Sequence, residues 1–142
     1  YDYTIKTFAY FVYPGINPIE ITQQVRTIDF MLTILDYLKI EQDKNYENPD
    51  GESLLLLMNG KLLQEKIAYS ETGNPLEDKK PPKEPNVSAI RTDEWKFILN
   101  HHDGTEELYN LKTDPTEENN LIAIENKVVR EMKKTLKHHL EI

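Results

Sequence analysis

The pattern of apolar and polar positions predicts strands in three short stretches, residues 87–92, 95–100 and 106–111. In the central stretch, Trp95, Phe97 and Leu99 occupy every second position. Because strand side chains alternate between faces, these large apolar groups share one face of a strand and Lys96 points to the other. The connections between the stretches are short, which predicts three strands in antiparallel pairing.

The last apolar pattern of the chain has helical spacing and runs from residue 126 to residue 140. Its stripe consists of Val129, Met132, Leu136 and Leu140. Lysines and histidines gather near its C-terminal end, where the helix dipole favours positive charge. The pattern predicts an amphipathic helix that lies across one face of the sheet and largely buries Trp95 against it.

Two apolar segments in the first third of the chain lack clean alternation. Residues 7–13 are nearly all aromatic, β-branched or Ala, which predicts a strand buried on both faces and ended by a Pro-Gly pair. Residues 27–40 have helical spacing with a wide apolar stripe, which predicts a helix buried on more than half of its circumference. Thr27 is its predicted N-cap, and Asp29 suits the positive end of the helix dipole.

Shorter signals fill the remaining segments. Residues 53–58 predict a short helical turn capped by Ser53, and residues 66–72 predict a further strand. Residues 73–86 carry several prolines among charged residues, which predicts a solvated loop. Residues 114–117 combine an N-cap acceptor with Pro at the first helical position and Glu at the third, which predicts a short helical turn before the last helix.

Composition and charge restrict the classes of partner. The chain has 142 residues, room for about one domain, and a net charge of -8 from 17 basic and 25 acidic residues. This charge argues against binding to nucleic acid or to an anionic membrane surface. The longest apolar run, residues 54–58, is far shorter than the roughly 20 residues that span a bilayer, so no membrane partner is expected. Without cysteine, disulfides, thiolate zinc sites and cysteine nucleophiles are excluded.

The sequence contains few candidates for catalytic, metal-binding or substrate-facing residues. Ser53, Ser70 and Ser88 lie outside a nucleophile-elbow pattern, and we interpret them as a helix cap and as strand residues. The histidines occur as adjacent pairs, whereas two ligands on one helix face need a spacing of three or four, and the acidic pairs indicate solvated surface. No catalytic and no metal-binding residue is predicted. His101 and His102 lie at the predicted hairpin tip and are our candidates for substrate-facing residues.

Read in order, these landmarks resemble the C-terminal part of the sulfatase family, in the alkaline phosphatase superfamily. The five blocks that carry the likeness are YD followed by TIKTFAYFVYPG, VRTIDFMLTILDYLKI, DGESLLLLMNG, IRTDEWKFILN and ELYNLKTDPTEENNL. The second and third are similar to the family's D-x-x-P-T-x-L-D-x-x-G-I and D-G-x-S-L-x-P-L-L-x-G patterns. The last is similar to E-L-Y-D-L-x-x-D-P-x-E-x-x-N-L and is the most specific.

The sequence also departs from the family pattern. Leu32 and Leu56 stand where the family usually has proline, and Lys39 stands where it has a small residue. The family's nucleophile, a Cys or Ser in C/S-x-P-x-R that is oxidised to formylglycine, has no counterpart here. The resemblance places the catalytic His and Lys and the calcium ligands before Tyr1. No catalytic residue therefore carries over, and calcium and formylglycine are implied only for the complete enzyme.

The expected fold is α+β, with an antiparallel sheet of about four strands packed by the C-terminal helix. The resemblance makes this the C-terminal subdomain of an alkaline-phosphatase-like α/β hydrolase. Residues 1–60 would be the tail end of the larger domain, with strand 7–13 and helix 27–40, and residues 61–142 the sheet-and-helix subdomain. Because the first residue is Tyr rather than Met, we expect the chain to begin inside a longer protein.

The resemblance implies that the complete enzyme hydrolyses a sulfate ester and that this chain shapes the cleft, with the upstream part of the same polypeptide as its partner. Two alternatives stay open: a noncatalytic interaction module of the same fold, and a phosphodiester or phosphonate hydrolase of the same superfamily. In isolation the chain is expected to be inactive. It is also expected to self-associate through residues 7–13 or the helix face around Phe30 and Ile34, whose covering neighbours would lie upstream.

Overall fold

The structure is a computed structural model that describes residues 1–15, 17–41, 45, 50–61, 63–72 and 87–140. Its elements are α1 (Asp2–Ile5), α2 (Asp29–Tyr37), α3 (Leu55–Met58), β1 (Ala68–Thr72), β2 (Val87–Arg91), β3 (Trp95–Asn100), β4 (Glu106–Asn110) and α4 (Asn126–Leu140). The chain divides into two units: a sheet unit of Tyr1–Ala9 with Ile67–Ile142, and a helical unit, Tyr10–Lys66. The predicted division between residues 60 and 61 stays a prediction.

The sheet unit contains one antiparallel sheet of four strands in the order β1-β2-β3-β4. Each strand therefore pairs with the next strand along the chain, as expected for short connections. Ile90 of β2 lies opposite Phe97 of β3, and Phe97 lies opposite Leu108 of β4. The sheet and its C-terminal helix confirm the predicted α+β fold, and β3 and α4 have the predicted bounds.

The main core of the sheet unit lies between the sheet and α4. Fully buried Ile90, Phe97 and Leu108 form its sheet side. The α4 side consists of Val129, Met132 and Leu136, three members of the predicted stripe, whereas Leu140 is exposed. The alternation along β3 therefore has the predicted direction, and burial of this apolar face is the main stabilising contribution.

Trp95 is less buried than predicted. It packs against the core but keeps part of its surface exposed, whereas Phe97 is 0% exposed. Strand β2 ends at Arg91, opposite Lys96, so Trp95 extends beyond the last pair between these strands. Its indole lies at the margin of the core because no β2 residue covers it from that side.

The helical unit contains α2 and α3, which are tied together by buried polar groups. The Asp29 carboxylate accepts hydrogen bonds from the backbone N–H groups of Arg26 at 2.9 Å and Glu52 at 3.0 Å. The Thr33 hydroxyl accepts the N–H of Leu54 at 2.9 Å and donates to the Asp29 carbonyl at 2.6 Å. These bonds link two of the sequence blocks that carry the family resemblance.

A glycine is required where the second of these blocks approaches the first. Gly51 has a φ of +119°, and an added Cβ would lie 2.6 Å from the carbonyl oxygen of Ile28. Any other residue would therefore meet backbone rather than a movable side chain. The close approach brings the segment before α3 against the start of α2.

The strand predicted over residues 7–13 does not form. Its backbone pairs with no described strand, and Tyr10 and Val12 are 85% and 92% exposed. An extended apolar segment becomes a strand only when a neighbouring strand satisfies its N–H and C=O groups, and the described chain supplies none here. The prediction was correct only about the apolar character of the segment.

The helix predicted over residues 27–40 is shorter and less buried than expected. It spans Asp29–Tyr37, and its buried residues are Asp29 and Thr33, while Met31 and Ile34 are about half exposed. Thr27 is not its N-cap; Ile28 holds that position, and no side chain caps the helix. The Asp29 carboxylate satisfies the nearby backbone N–H of Arg26 instead.

The segment 114–117 is a turn rather than the predicted helical turn. Asp114 acts as the predicted acceptor, taking the N–H groups of Glu118 at 3.1 Å and Asn119 at 2.8 Å. These bonds hold the pKa of Asp114 below its usual range. Glu117, however, has a φ of +57°, in the left-handed region, so the chain turns away before a helix can propagate.

Three other sequence predictions concern residues 53–58, 66–72 and 73–86. The short turn predicted over 53–58 is α3, and the Ser53 hydroxyl accepts the N–H of Leu55 at 3.3 Å, although Leu54 is the N-cap. The strand predicted over 66–72 is β1, Ala68–Thr72. The loop predicted over 73–86 lies outside the described residues. Within the described ranges, the helices are too short or too polar to cross a bilayer.

Candidate functional site

The candidate site lies at the hairpin between β3 and β4. The N–H of Asn100 donates to the carbonyl of Thr105, and the N–H of Gly104 donates to the carbonyl of Asn100, both at 2.9 Å. Asp103 accepts the N–H of Thr105 at 2.9 Å and its hydroxyl at 2.7 Å. These two bonds lower the pKa of Asp103, so the tip carries an ionised carboxylate within a well-defined turn.

His101 is the first of the two predicted tip residues. Its Nε2 lies 2.9 Å from the hydroxyl oxygen of Ser88, which belongs to β2. Ser88 is 0% exposed and lies on the α4 side of the sheet, whereas the His101 residue is exposed. A surface imidazole is thus anchored to a buried hydroxyl.

Two residues of the edge strand β1 extend this contact. The Tyr69 hydroxyl lies 3.2 Å from the Ser88 hydroxyl and donates to the Glu71 carboxylate at 2.5 Å. The sheet register explains the grouping, because Glu71 lies opposite Ser88 and Tyr69 lies two residues before it on the same face. Burial, and then the hydrogen bond to Glu71, raise the pKa of Tyr69.

His102, the second predicted tip residue, does not join this group. Its backbone N–H donates to the Asn100 side chain at 3.0 Å, and the residue is exposed. The structure thus brings His101 to Tyr69, Glu71 and Ser88 and keeps His102 apart. The sequence analysis missed this grouping because it interpreted Ser88 as a plain strand residue. The available signal was a polar residue on the otherwise apolar face of β2.

A cleft lies beside this group, between β1 and the end of α4. It has a volume of about 180 Å³ and is lined by Ile67, Tyr69, Ile90, Thr135, His138 and His139. The rings of Tyr69 and His139 pack with their centroids 4.0 Å apart. His139 of the second histidine pair, which was explained by the helix dipole alone, therefore also packs on the sheet.

The opposite face of the sheet carries a buried charge cluster, defined as Asp2, Arg91, Lys96 and Glu117. Lys96 is 0% exposed, and its Nζ lies 3.0 Å from Asp2 and 2.7 Å from Glu117. Arg91 lies 3.1 Å from Asp2. Burial alone would raise the pKa of Asp2, but the hydrogen bonds from Arg91 and Lys96 outweigh it and hold the pKa low.

No set of three potential metal ligands gathers anywhere in the part of the chain that the structure describes. The serine with a nearby imidazole, Ser88, is fully buried. The described residues therefore do not fit the calcium site or the nucleophile that the sulfatase resemblance implies for a complete enzyme.

The family comparison covers the entire chain. The family model described as N-sulphoglucosamine sulphohydrolase, C-terminal, matches residues 1–142. A search of curated proteins found no match.

Solved structures with the same fold include several enzymes. A putative sulfatase from Bacteroides thetaiotaomicron has a TM-score of 0.66 at 23% identity, over 80% of this chain and 24% of that one. A protein solved with its substrate D-glucosamine-2-N,6-O-disulfate has a TM-score of 0.62 at 27% identity, over 80% and 23%. A phosphonate monoester hydrolase from Silicibacter pomeroyi has a TM-score of 0.58 at 21% identity, over 90% and 28%.

The chain thus spans about a quarter of the length of the solved structures that it matches. The similarity includes the four-stranded sheet and the C-terminal helix, which are the elements that position the hairpin tip. With the family model matched from residue 1 to residue 142, this chain belongs to the C-terminal domain family of the N-sulphoglucosamine sulphohydrolases.

Proposed function

We propose that the complete protein hydrolyses a sulfate ester of a saccharide and that this chain forms one wall of the substrate cleft without supplying a catalytic residue. The family match over residues 1–142 carries this proposal. A structural neighbour at 27% identity was solved with a disulfated glucosamine as its substrate, which supports a sulfated sugar as the substrate class.

In this proposal, His101 and His102 at the hairpin tip face the substrate. The turn is held by backbone hydrogen bonds and by Asp103, so its side chains start from a defined position. A preorganised tip loses less conformational entropy when it contacts a ligand. His101 has the stronger support because Ser88 anchors its ring.

Calcium and a formylglycine residue belong to the proposal only for the part of the complete protein outside this chain. The formylglycine hydrate would supply the nucleophile there, and the cation would stabilise the sulfate group. The described residues of this chain have the separate role of contacting the saccharide and holding the tip. Because these roles are separate, the proposal predicts that the chain alone has no sulfatase activity.

The decisive experiment is an assay of the complete protein. We expect release of sulfate from the 6-O ester of D-glucosamine-2-N,6-O-disulfate, and no release by the 142-residue chain at the same concentration. A complete protein that binds the sugar without releasing sulfate would instead indicate the noncatalytic interaction module.

A second candidate is a phosphonate monoester hydrolase. The observation that favours it is the neighbour from Silicibacter pomeroyi, which covers 90% of this chain, compared with 80% for the sulfatase from Bacteroides thetaiotaomicron. The same assay with a phosphonate monoester distinguishes the two. A higher kcat/KM for the phosphonate than for the sulfate ester would reject the sulfatase proposal.

A further inference from the structure

A continuous series of hydrogen-bonded side chains extends from the edge strand β1 to the hairpin tip. The Glu71 carboxylate lies 2.5 Å from the Tyr69 hydroxyl, and that hydroxyl lies 3.2 Å from the hydroxyl of Ser88. The Ser88 hydroxyl in turn lies 2.9 Å from Nε2 of His101. Each distance is within hydrogen-bond range, so the four groups form one network.

The donor and acceptor properties of the four groups determine the direction of the hydrogen bonds in this network. An ionised carboxylate can only accept, so the single hydrogen of the Tyr69 hydroxyl is donated to Glu71. The Tyr69 oxygen is then left as an acceptor, and the hydrogen of Ser88 is donated to it. The Ser88 oxygen must therefore accept from His101. The opposite direction would leave two oxygens facing each other without a hydrogen between them, at a buried position.

We propose that Glu71, Tyr69 and Ser88 are positioning residues that hold His101 as the tautomer protonated at Nε2 and present its Nδ1 as an acceptor for a hydroxyl group of the saccharide. This inference rests on the proposed function, in which the tip faces the substrate. Nδ1 of His101 has no hydrogen-bond partner among the described residues. A neutral Nδ1 accepts from a sugar hydroxyl, whereas a sulfate group offers only acceptors and is not bound by it.

The direction of these hydrogen bonds also excludes a nucleophilic role for Ser88. A serine nucleophile needs a base that accepts its hydrogen. Here the hydrogen of Ser88 is donated to Tyr69, and His101 donates to Ser88 rather than accepting from it. Ser88 is also 0% exposed, so a substrate atom cannot reach its oxygen. In this proposal, the contact between Ser88 and His101 therefore orients the His101 ring toward the ligand.

The direction can be tested on the 142-residue chain by 15N NMR of the imidazole at about pH 8, where imidazole is neutral. The wild type should show His101 protonated at Nε2. Glu71→Gln keeps the shape but adds an amide donor that allows the reverse direction, so this variant should show a mixture of both tautomers. The matched control Glu118→Gln has the same charge change on an exposed residue outside the network and should keep the wild-type tautomer.

The ligand can be tested on the same samples. Titration with D-glucosamine-2-N,6-O-disulfate should shift the Nδ1 resonance of His101, and Glu71→Gln should weaken the binding about twofold, as expected when about half of the molecules have the competent tautomer. Inorganic sulfate alone should leave Nδ1 unchanged. A wild-type ring protonated at Nδ1, an unchanged tautomer in Glu71→Gln, or an equal response to inorganic sulfate would each overturn the inference. Sulfate release by the complete protein is measured separately, so failure of the proposed activity is distinguishable from failure of this inference.

Discussion

Nζ of Lys96 lies 2.7 Å from Oε1 of Glu117, and neither side chain has more than 1% of its surface exposed. A second carboxylate, that of Asp2, lies 3.0 Å from the same Nζ. The backbone N–H of Asp2 also donates to the other Glu117 oxygen at 2.6 Å. One buried ammonium therefore holds together a residue of the first helix, the sheet and the turn that follows β4.

Removal of this ammonium should be strongly destabilising. Lys96→Met leaves the Glu117 carboxylate without its cation and Asp2 with Arg91 alone, and breaking a buried pair costs about 3 to 5 kcal/mol. Urea unfolding of the chain measures the change. Lys127→Met, at an exposed position of α4, is the matched control and should change the free energy of unfolding by less than about 0.5 kcal/mol. Equal effects of the two substitutions would show that the buried pair contributes nothing.

The stability of the sheet unit should fall in acid because of Asp2. Its pKa is lower in the folded chain than in the unfolded chain, so the folded state binds fewer protons at this group. The resulting stabilisation is present above the ordinary aspartate pKa of about 3.9 and is lost as the pH falls through the folded-state pKa. Asp2→Asn should make urea midpoints less dependent on pH below about 4. An unchanged acid slope in this variant would assign the pH dependence to other groups.

Alanine substitutions of the two aromatic residues of β3 should lower the stability of the chain by different amounts. Phe97→Ala removes a fully buried ring and should cost about 3 to 5 kcal/mol, enough to unfold a marginal domain. Trp95→Ala should cost less, because the indole lies at the margin of the core. Thermal unfolding ranks the two variants, and acrylamide quenching of the indole in the native chain reports its exposure. A larger loss for Trp95→Ala would contradict the packing described here.

The two histidines at the hairpin tip should differ in their effect on the complete protein. His101→Ala should raise KM for a saccharide sulfate more than for a small aryl sulfate, because only the larger ligand reaches the tip. His102→Ala is the neighbouring control and should have the smaller effect, since its ring takes no part in the Ser88 network. Equal changes in KM for both substrates would remove the tip from the substrate cleft.

Self-association of the isolated chain remains a prediction. Tyr10 and Val12 are almost fully exposed, and Met31 and Ile34 of α2 are about half exposed. Apolar groups left in water favour association of copies. Sedimentation equilibrium at micromolar concentration should therefore detect oligomers, and Val12→Lys or Ile34→Lys should shift the equilibrium toward monomer. A clean monomer in the wild type would reject the prediction.

The parts of the fold that were predictable from sequence depend on local contacts. Strand β3 and helix α4 have the predicted bounds because alternation, helical spacing and short connections act within a few residues. Residues 7–13 were mispredicted because a strand needs a neighbour that a local pattern cannot supply. The turn at Glu117 was missed because an N-cap signal does not reveal that the backbone then adopts a positive φ.

The candidate site was predictable only in part, for the same reason. The position of His101 at a hairpin tip follows from the short loop between β3 and β4. The contact of its partner Ser88 with Tyr69 depends instead on the register between β1 and β2, whose connection lies outside the described residues. Long-range register is set by packing of the whole sheet, so neither the buried network nor its direction follows from the residues around the tip.

The left-handed backbone of Glu117 places opposing demands on the amino acid at position 117. A positive φ costs a residue with a side chain about 1 to 2 kcal/mol, and glycine would avoid this cost. Glycine, however, would remove one of the two carboxylates that pair with Lys96. Of its two carboxylate partners, the buried ammonium of Lys96 would then keep only Asp2. We therefore expect a glycine at position 117 to be accompanied by an uncharged residue at position 96, 21 residues earlier in the sequence, in functional variants.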